Sequence, residues 1–174
     1  MDELSLLAQK YKADKWGKHH YTPVYYELMK DKRNEVKSVF EIGTAEGASM
    51  FMWRDFFPQA TIHGGDNVPS RVELFKNEER MKAYLMDQSK LADIYNVLPI
   101  LMTADLIVDD GSHRGADQLF TFLAIAPYMK SGAVYVIEDV ADTDIIPFIT
   151  DSYYIEVKEV SKTRYDDRLI IFKK

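Results

Sequence analysis

The stretch Phe40-Glu41-Ile42-Gly43-Thr44-Ala45-Glu46-Gly47-Ala48-Ser49 constrains this chain more than any other. Residues 37–42 read as a buried strand. Residues 48–57 are mostly apolar, carry charges at Arg54 and Asp55, and end before Pro58, so they read as a helix. A strand that turns through glycines into a helix commits the chain to an α/β architecture. The turn is also a cradle: Gly43 and Gly47 let a nucleotide-like ligand approach the backbone, and the first turn of the next helix offers free N–H groups. An ordinary strand-to-helix turn has the same appearance, so the weight rests on the rest of the chain.

The remaining elements alternate. Helices are expected at 4–11 and 25–32, separated by a segment from Asp14 to Pro23 dense in polar and aromatic groups. Its residues Lys15, Trp16, His19, His20 and Tyr21 suit a lid over a ligand as well as they suit surface packing. A second strand, 60–66, ends in Asp66, where an acid commonly bonds the vicinal hydroxyls of a ribose. A helix at 70–76 and a third strand at 81–86 lead to Asp87 and Gln88, placed to reach an adenine edge or to shape the turn. Ser89 is expected to cap a helix running through Tyr95. A fourth strand, 104–109, ends in Asp109 and Asp110, a helix spans 115–129, and a fifth strand, 133–137, ends in Glu138 and Asp139. A helix at 143–151 precedes an antiparallel pair, 153–160 and 168–172, joined across 161–167. The sum is a Rossmann-like, doubly wound, seven-stranded sheet, mostly parallel with an antiparallel C-terminal strand. The chain reads as one domain over 1–174, with an N-terminal helical and lid segment over 1–35 and the Rossmann-like core over 36–174.

Composition removes several alternatives. No apolar run is long enough to span a bilayer, and Met-Asp-Glu-Leu-Ser at the start lacks the basic-then-apolar pattern of a secretory signal. The absence of cysteine excludes disulfides, thiolate metal sites and a cysteine nucleophile, and fits a cytoplasmic protein. A net charge of −6 argues against a nucleic-acid partner, which usually needs a basic face.

Glu41, Asp66, Asp87, Asp109, Asp110, Glu138 and Asp139 all fall at the carboxyl ends of expected strands, the edge where such sheets bind ligands. Acids along one edge repel one another unless a cation or a hydroxyl-rich ligand satisfies them. Asp110, Glu138 and Asp139 follow neighbouring strands, and carboxylates without cysteine suit a hard cation, most simply Mg²⁺. His113, three residues past Asp110, is placed to act as a general base beside that metal. A helix-start residue bonding a carboxylate is its plainer role.

The motif FEIGTAEGAS resembles the opening of class I S-adenosylmethionine-dependent methyltransferases. DKWGKHHYTPVYYELM, IVDDGSH and VIEDV are similar to the catalytic domain of the mycinamicin sugar 2″-O-methyltransferase family, over nearly the whole chain from Tyr11. The resemblance implies S-adenosyl-L-methionine as cofactor and Mg²⁺ held by Asp110, Glu138 and Asp139. His113 is then the base, with Asp110 at the catalytic centre. Glu41, Gly43, Asp66 and Asp87 line the cofactor site, and Thr44, Gly47, Ser49, Gln88 and Asp109 complete the candidate set. Ala45 departs from the pattern, standing where many methyltransferases have a third glycine. The acceptor implied is a sugar hydroxyl, on a deoxyhexose such as rhamnose in a glycan or glycosylated natural product. A homo-oligomer stays open. The catechol methyltransferases are similar in layout but use lysine as the base, so a catechol or phenol acceptor is the alternative. A dinucleotide-dependent dehydrogenase would need a fuller glycine fingerprint, and a non-catalytic nucleoside-binding module gives His113 no purpose beside three carboxylates.

Overall fold

A computed structural model describes residues 1–148, 154–160 and 164–174. Helices α1 (Glu3–Tyr11) and α2 (Thr22–Met29) precede β1 (Ser38–Ile42), α3 (Ala48–Phe56), β2 (Thr61–Asp66), α4 (Pro69–Glu73) and β3 (Met81–Leu85). Then come α5 (Leu91–Leu101), β4 (Leu106–Asp109), α6 (Gly115–Ile125), β5 (Val134–Ile137), β6 (Tyr154–Glu159) and β7 (Arg168–Lys173). The strands form one sheet in the order β3-β2-β1-β4-β5-β7-β6. β1 to β5 run parallel, and β7 inserts antiparallel to both β5 and β6. This is the Rossmann-like, seven-stranded arrangement that the alternation of elements implies.

Strand alternation builds two cores. Val39, Val108 and Val136 face one side, where they meet Leu4 of α1, Tyr25 of α2 and Trp53 and Phe56 of α3. Phe40, Ile107 and Tyr135 face the other, against Ile94 and Val97 of α5 and Phe122 and Ile125 of α6. Each such side chain taken out of water contributes about 1.5–3 kcal/mol, which holds the helices on both faces of the sheet. The helices α1 and α2 therefore belong to the first core. They are locked together by Ser5, whose hydroxyl bonds Asp2 Oδ2 and Thr22 Oγ1, each at 2.7 Å.

Several element limits differ from the sequence reading. α2 starts three residues before Tyr25 because Pro23 fits its first turn, and it stops at Met29. α4 is a five-residue helix. α5 continues past Tyr95 to Leu101, through Pro99, held by the buried spacing Ile94, Val97 and Leu101. Ser89 does not cap it; the Ser89 hydroxyl turns back to Asp87 Oδ1 at 2.6 Å. α6 ends at Ile125 and gives way to a 3₁₀ turn, Ala126–Tyr128, around Pro127. Residues Thr143–Phe148 form a 3₁₀ helix, not an α-helix. The remainder of that expected helix, residue 153 of the next strand and residues 161–163 of the hairpin turn lie outside the described residues.

Candidate functional site

The carboxyl ends of β1 to β4 enclose a cavity of about 490 Å³, with Gly43, Ser49, Asp66, Gln88, Asp110 and His113 in its wall. Gly43, at φ 86°, is required by close approach: a Cβ there would lie 2.0 Å from the Asp110 carbonyl oxygen. Gly47, also at φ 86°, passes the Phe75 ring, which a Cβ would meet at 2.7 Å. Ala45 follows the same left-handed path at φ 43° without glycine's freedom. The loop keeps its course at the cost of local strain.

Asp66 closes that loop from β2. Its Oδ2 accepts the N–H groups of Thr44 and Ala45 at 3.1 Å, and its Oδ1 accepts from Val68 N at 2.9 Å. Arg71 lies 3.4 Å from the same carboxylate. Asp87 also lines the cavity; hydrogen bonds from Ser89, above all, hold its pKa down to about 2. Gln88 braces the loop after β4, donating to Asp109 Oδ1 at 3.0 Å and accepting from Ser112 N at 2.6 Å.

The strand-end acids do not all reach the cavity, because period-two alternation turns some into the cores. Glu41 faces the α3 side, fully buried, and accepts from Ser49 Oγ at 2.7 Å and Trp53 Nε1 at 3.3 Å. Asp109 faces the α6 side and accepts from Tyr135 OH at 3.0 Å; burial pushes its pKa up to about 7. Glu41, Asp109, Thr44 and Gly47 are absent from the cavity wall. They stand directly behind it.

Asp110, Glu138 and Asp139 come together with His113 and the N-terminal segment. His113 bridges two acids, with Nε2 at 3.0 Å from Asp110 Oδ1 and Nδ1 at 3.3 Å from Asp139 Oδ2. His113 (φ 57°) and Asp139 (φ 51°) both hold left-handed backbone, a conformation that side-chain-bearing residues keep only under constraint. The hydrogen bond to Asp110 is the main cause that raises the His113 pKa. Lys15 is buried, with its ammonium 2.7 Å from Asp110 Oδ2, 2.7 Å from Glu138 Oε2 and 3.2 Å from Glu41 Oε1. Burial alone would lower its pKa, but these three carboxylates hold it well above the usual lysine value. The Asp110 carboxyl is pushed up by burial and pulled down further by Lys15 and His113, to about 2. Tyr21 OH donates to Asp139 Oδ1 and Tyr25 OH to Glu138 Oε1, each at 2.5 Å.

Two groups of potential ligand atoms lie within 4.8 Å of one another among the described residues: Asp110, His113 and Asp139, and the buried set His19, Asp139 and Asp167. Glu138 is in neither group, since both its oxygens are turned to Lys15 and Tyr25. Of the three expected ligands, Asp110 lines the cavity, Asp139 is joined to it through His113, and Glu138 is clamped by Lys15 and Tyr25.

The segment expected as a lid or as surface packing is partly buried. Lys15, His19 and Tyr21 are buried, Trp16 is half-buried edge-on to His20, and His20 is exposed. His19 Nδ1 lies 2.5 Å from Asp167 Oδ1, which ties the segment to the turn before β7. It is a strap pinned by buried polar bonds. Sequence reasoning missed Tyr25, although its position one helical turn after Tyr21 was a usable signal. It also missed Arg71 and the cavity-lining Lys12.

A family profile described as "Methyltransferase domain" matches residues 40–140. Mycinamicin VI 2″-O-methyltransferase of Micromonospora griseorubida is 34% identical over 146 residues, covering 79% of this chain and 36% of that protein. An 8-demethyl-8-alpha-L-rhamnosyl tetracenomycin-C 2′-O-methyltransferase of Streptomyces olivaceus is 31% identical over 143 residues, covering 78% of this chain and 37% of that protein. The chain thus spans little more than a third of the length of these curated relatives. The solved MycE methyltransferase, in complex with Mg, SAH and mycinamycin VI, superposes with a TM-score of 0.83 at 24% identity, over 99% of this chain and 54% of that one. At that identity the likeness is one of fold.

Proposed function

The chain belongs to the methyltransferase domain family, and from that premise we propose that it transfers the methyl group of S-adenosylmethionine to a sugar hydroxyl. The acceptor is a deoxyhexose such as rhamnose, carried on a glycan or a glycosylated natural product, as the names of its relatives suggest. One observation carries this reading. Asp110, His113 and Asp139 converge beside a cavity whose other walls are the Gly43 loop and Asp66. The cavity thus has a nucleoside-binding side and a proton-accepting, acidic side.

The donor set fits a hard divalent cation. The two oxygens bridged by His113 are carboxylate oxygens, the hard donors that such an ion takes. Asp110 and Asp139 would hold Mg²⁺, with Glu138 completing the acidic set. The ion would supply the charge that holds an acceptor diol and makes its hydroxyl easier to ionise. Asp66 binds the ribose hydroxyls of the methyl donor, and Gly43 lets the donor lie against the backbone. Freed from its bridge, His113 takes the proton of the acceptor hydroxyl as that oxygen attacks the methyl carbon. The carbon–sulfur bond breaks with its electron pair going to sulfur, leaving S-adenosylhomocysteine.

The test is direct. The protein is incubated with isotopically labelled S-adenosylmethionine and a panel of rhamnosides, other deoxyhexosides and catechols, and products are followed by mass spectrometry. Label in a deoxyhexoside supports the reading, label confined to catechols replaces the acceptor, and no label in any acceptor removes the activity.

A further inference from the structure

The cavity wall is strongly acidic. Asp14, Glu46, Asp66, Asp87, Asp110 and Asp117 all contribute to it. The cations there are few, and most are already engaged. Arg71 lies against Asp66, and His113 bridges Asp110 and Asp139. Lys12 is the exception: it lines the cavity, and no described residue forms an ion pair or side-chain hydrogen bond with its ammonium. It ends α1 in a left-handed conformation, φ 59°, held by its own N–H to Ala8 O and Gln9 O. Two residues on, Asp14 also lines the cavity, half-exposed, with Lys18 as its partner at 2.9 Å.

The order of strands says which part of a ligand these residues meet. Met86 to Gln88 lie at the end of β3, Asp66 at the end of β2 and the glycine loop at the end of β1. Lys12 and Asp14 are connected through Ala13 to Lys15, which reaches Asp110 after β4 and Glu41 on β1. They therefore adjoin the residue that reaches the β1 and β4 ends of the cavity. With the base toward β3 and the ribose at Asp66, the amino-acid arm of the methyl donor points at them.

We propose that Lys12 binds the carboxylate, and Asp14 the ammonium, of the amino-acid arm of S-adenosylmethionine, so that the start of the N-terminal strap is a cofactor-positioning device. This rests on the methyl-donor reading above. A carboxylate entering an acidic cavity needs a cation without a competing partner, and Lys12 answers that need. Asp14 supplies the opposite charge at the adjacent position and exchanges Lys18 for the ligand.

The test compares two ligands by calorimetry: S-adenosylhomocysteine, and 5′-methylthioadenosine, which keeps the nucleoside and lacks the amino acid. Lys12→Met should weaken S-adenosylhomocysteine about tenfold to a hundredfold and leave 5′-methylthioadenosine within about twofold. Lys12→Arg should restore most of the loss, and Asp14→Asn should repeat the selectivity of Lys12→Met. Equal losses for both ligands would make Lys12 a prop for the fold and overturn the inference. So would unchanged binding of S-adenosylhomocysteine, or equal affinity of the unmodified protein for the two ligands. If the unmodified protein binds neither, the methyl-donor reading falls first and takes this inference with it.

Discussion

The ammonium of Lys15 lies 2.7 Å from Glu138 Oε2, with both side chains withdrawn from solvent and 123 positions apart in the sequence. The same ammonium reaches Asp110 and Glu41, so one cation offsets three carboxylates at the point where β1, β4 and β5 end. Removing one partner of a buried ion pair leaves charge that nothing compensates, at a cost of about 3–5 kcal/mol. Lys15→Met, close in length but uncharged, should lower the urea midpoint by a corresponding amount. Adding Glu138→Gln to that variant should recover part of the loss, because one orphaned charge is then gone. A midpoint that does not move in Lys15→Met would mean that the acids are neutral in the fold without their lysine.

Asp66 has two duties that can be separated. Its carboxylate holds the N–H groups of Thr44 and Ala45, and in the proposed function it also receives the ribose hydroxyls. Asp66→Ala should weaken S-adenosylhomocysteine binding by about 1–3 kcal/mol in calorimetry, the range for a lost charge-assisted hydrogen bond. Amide exchange at Thr44 and Ala45 should quicken in the same variant. Faster exchange with unchanged affinity would leave Asp66 as a brace for the loop and nothing more.

What the sequence revealed, and what it concealed, follows from the kind of signal involved. The glycine turn was legible because Gly43 answers a local demand: no Cβ can pass the Asp110 carbonyl. The positions of Asp66, Asp110 and Asp139 at or just past strand ends were legible because strand ends are local too. Glu41 and Asp109 lie at the strand ends as expected, with their side chains buried. Alternation puts Glu41 on the face of Val39 and Asp109 on the face of Ile107, so both go into the cores. The partners of Lys15 and His19 could not be read at all, since Glu138 and Asp167 meet them only through the closure of the whole sheet. Two elements also escaped: α5 continues past Tyr95 because burial of Val97 and Leu101 outweighs Pro99, and the strap is fastened because its polar groups find buried carboxylates.

Asp109 makes stability depend on pH. Burial raises its pKa from an ordinary 3.8 to about 7, so between those values the folded chain holds a proton that the unfolded chain has released. Its contribution is fully present below pH 3.8, falls as pH rises, and is gone above 7, with a limiting slope of about 1.4 kcal/mol per pH unit. Asp109→Asn cannot ionise and still offers an oxygen to Tyr135. The urea midpoint of the variant relative to the unmodified protein should therefore rise from pH 5 to about pH 7 and then level off. A difference independent of pH would show that Asp109 ionises in the fold as it does in water.

The mechanism rests on His113, whose imidazole spans Asp110 Oδ1 and Asp139 Oδ2 in a strained backbone conformation. A sugar hydroxyl is a poor nucleophile because its conjugate base forms only at very high pH, so charge beside the oxygen and a base for its proton must act together. Treatment with EDTA should abolish turnover and Mg²⁺ should restore it, while the affinity for S-adenosylhomocysteine, measured by calorimetry, changes little. His113→Ala should lower kcat by about 10²–10⁴, the usual range for a lost general base, with the divalent cation still bound. Asp110→Asn should lose cation affinity and rate together, because Asp110 touches both Lys15 and His113 as well as the cavity. Full activity after EDTA would make the acids structural and end the metal-assisted mechanism. A silent His113→Ala, with the cation requirement intact, would keep the acidic pair and move the base elsewhere; exposed His20 on the strap is the next residue to substitute.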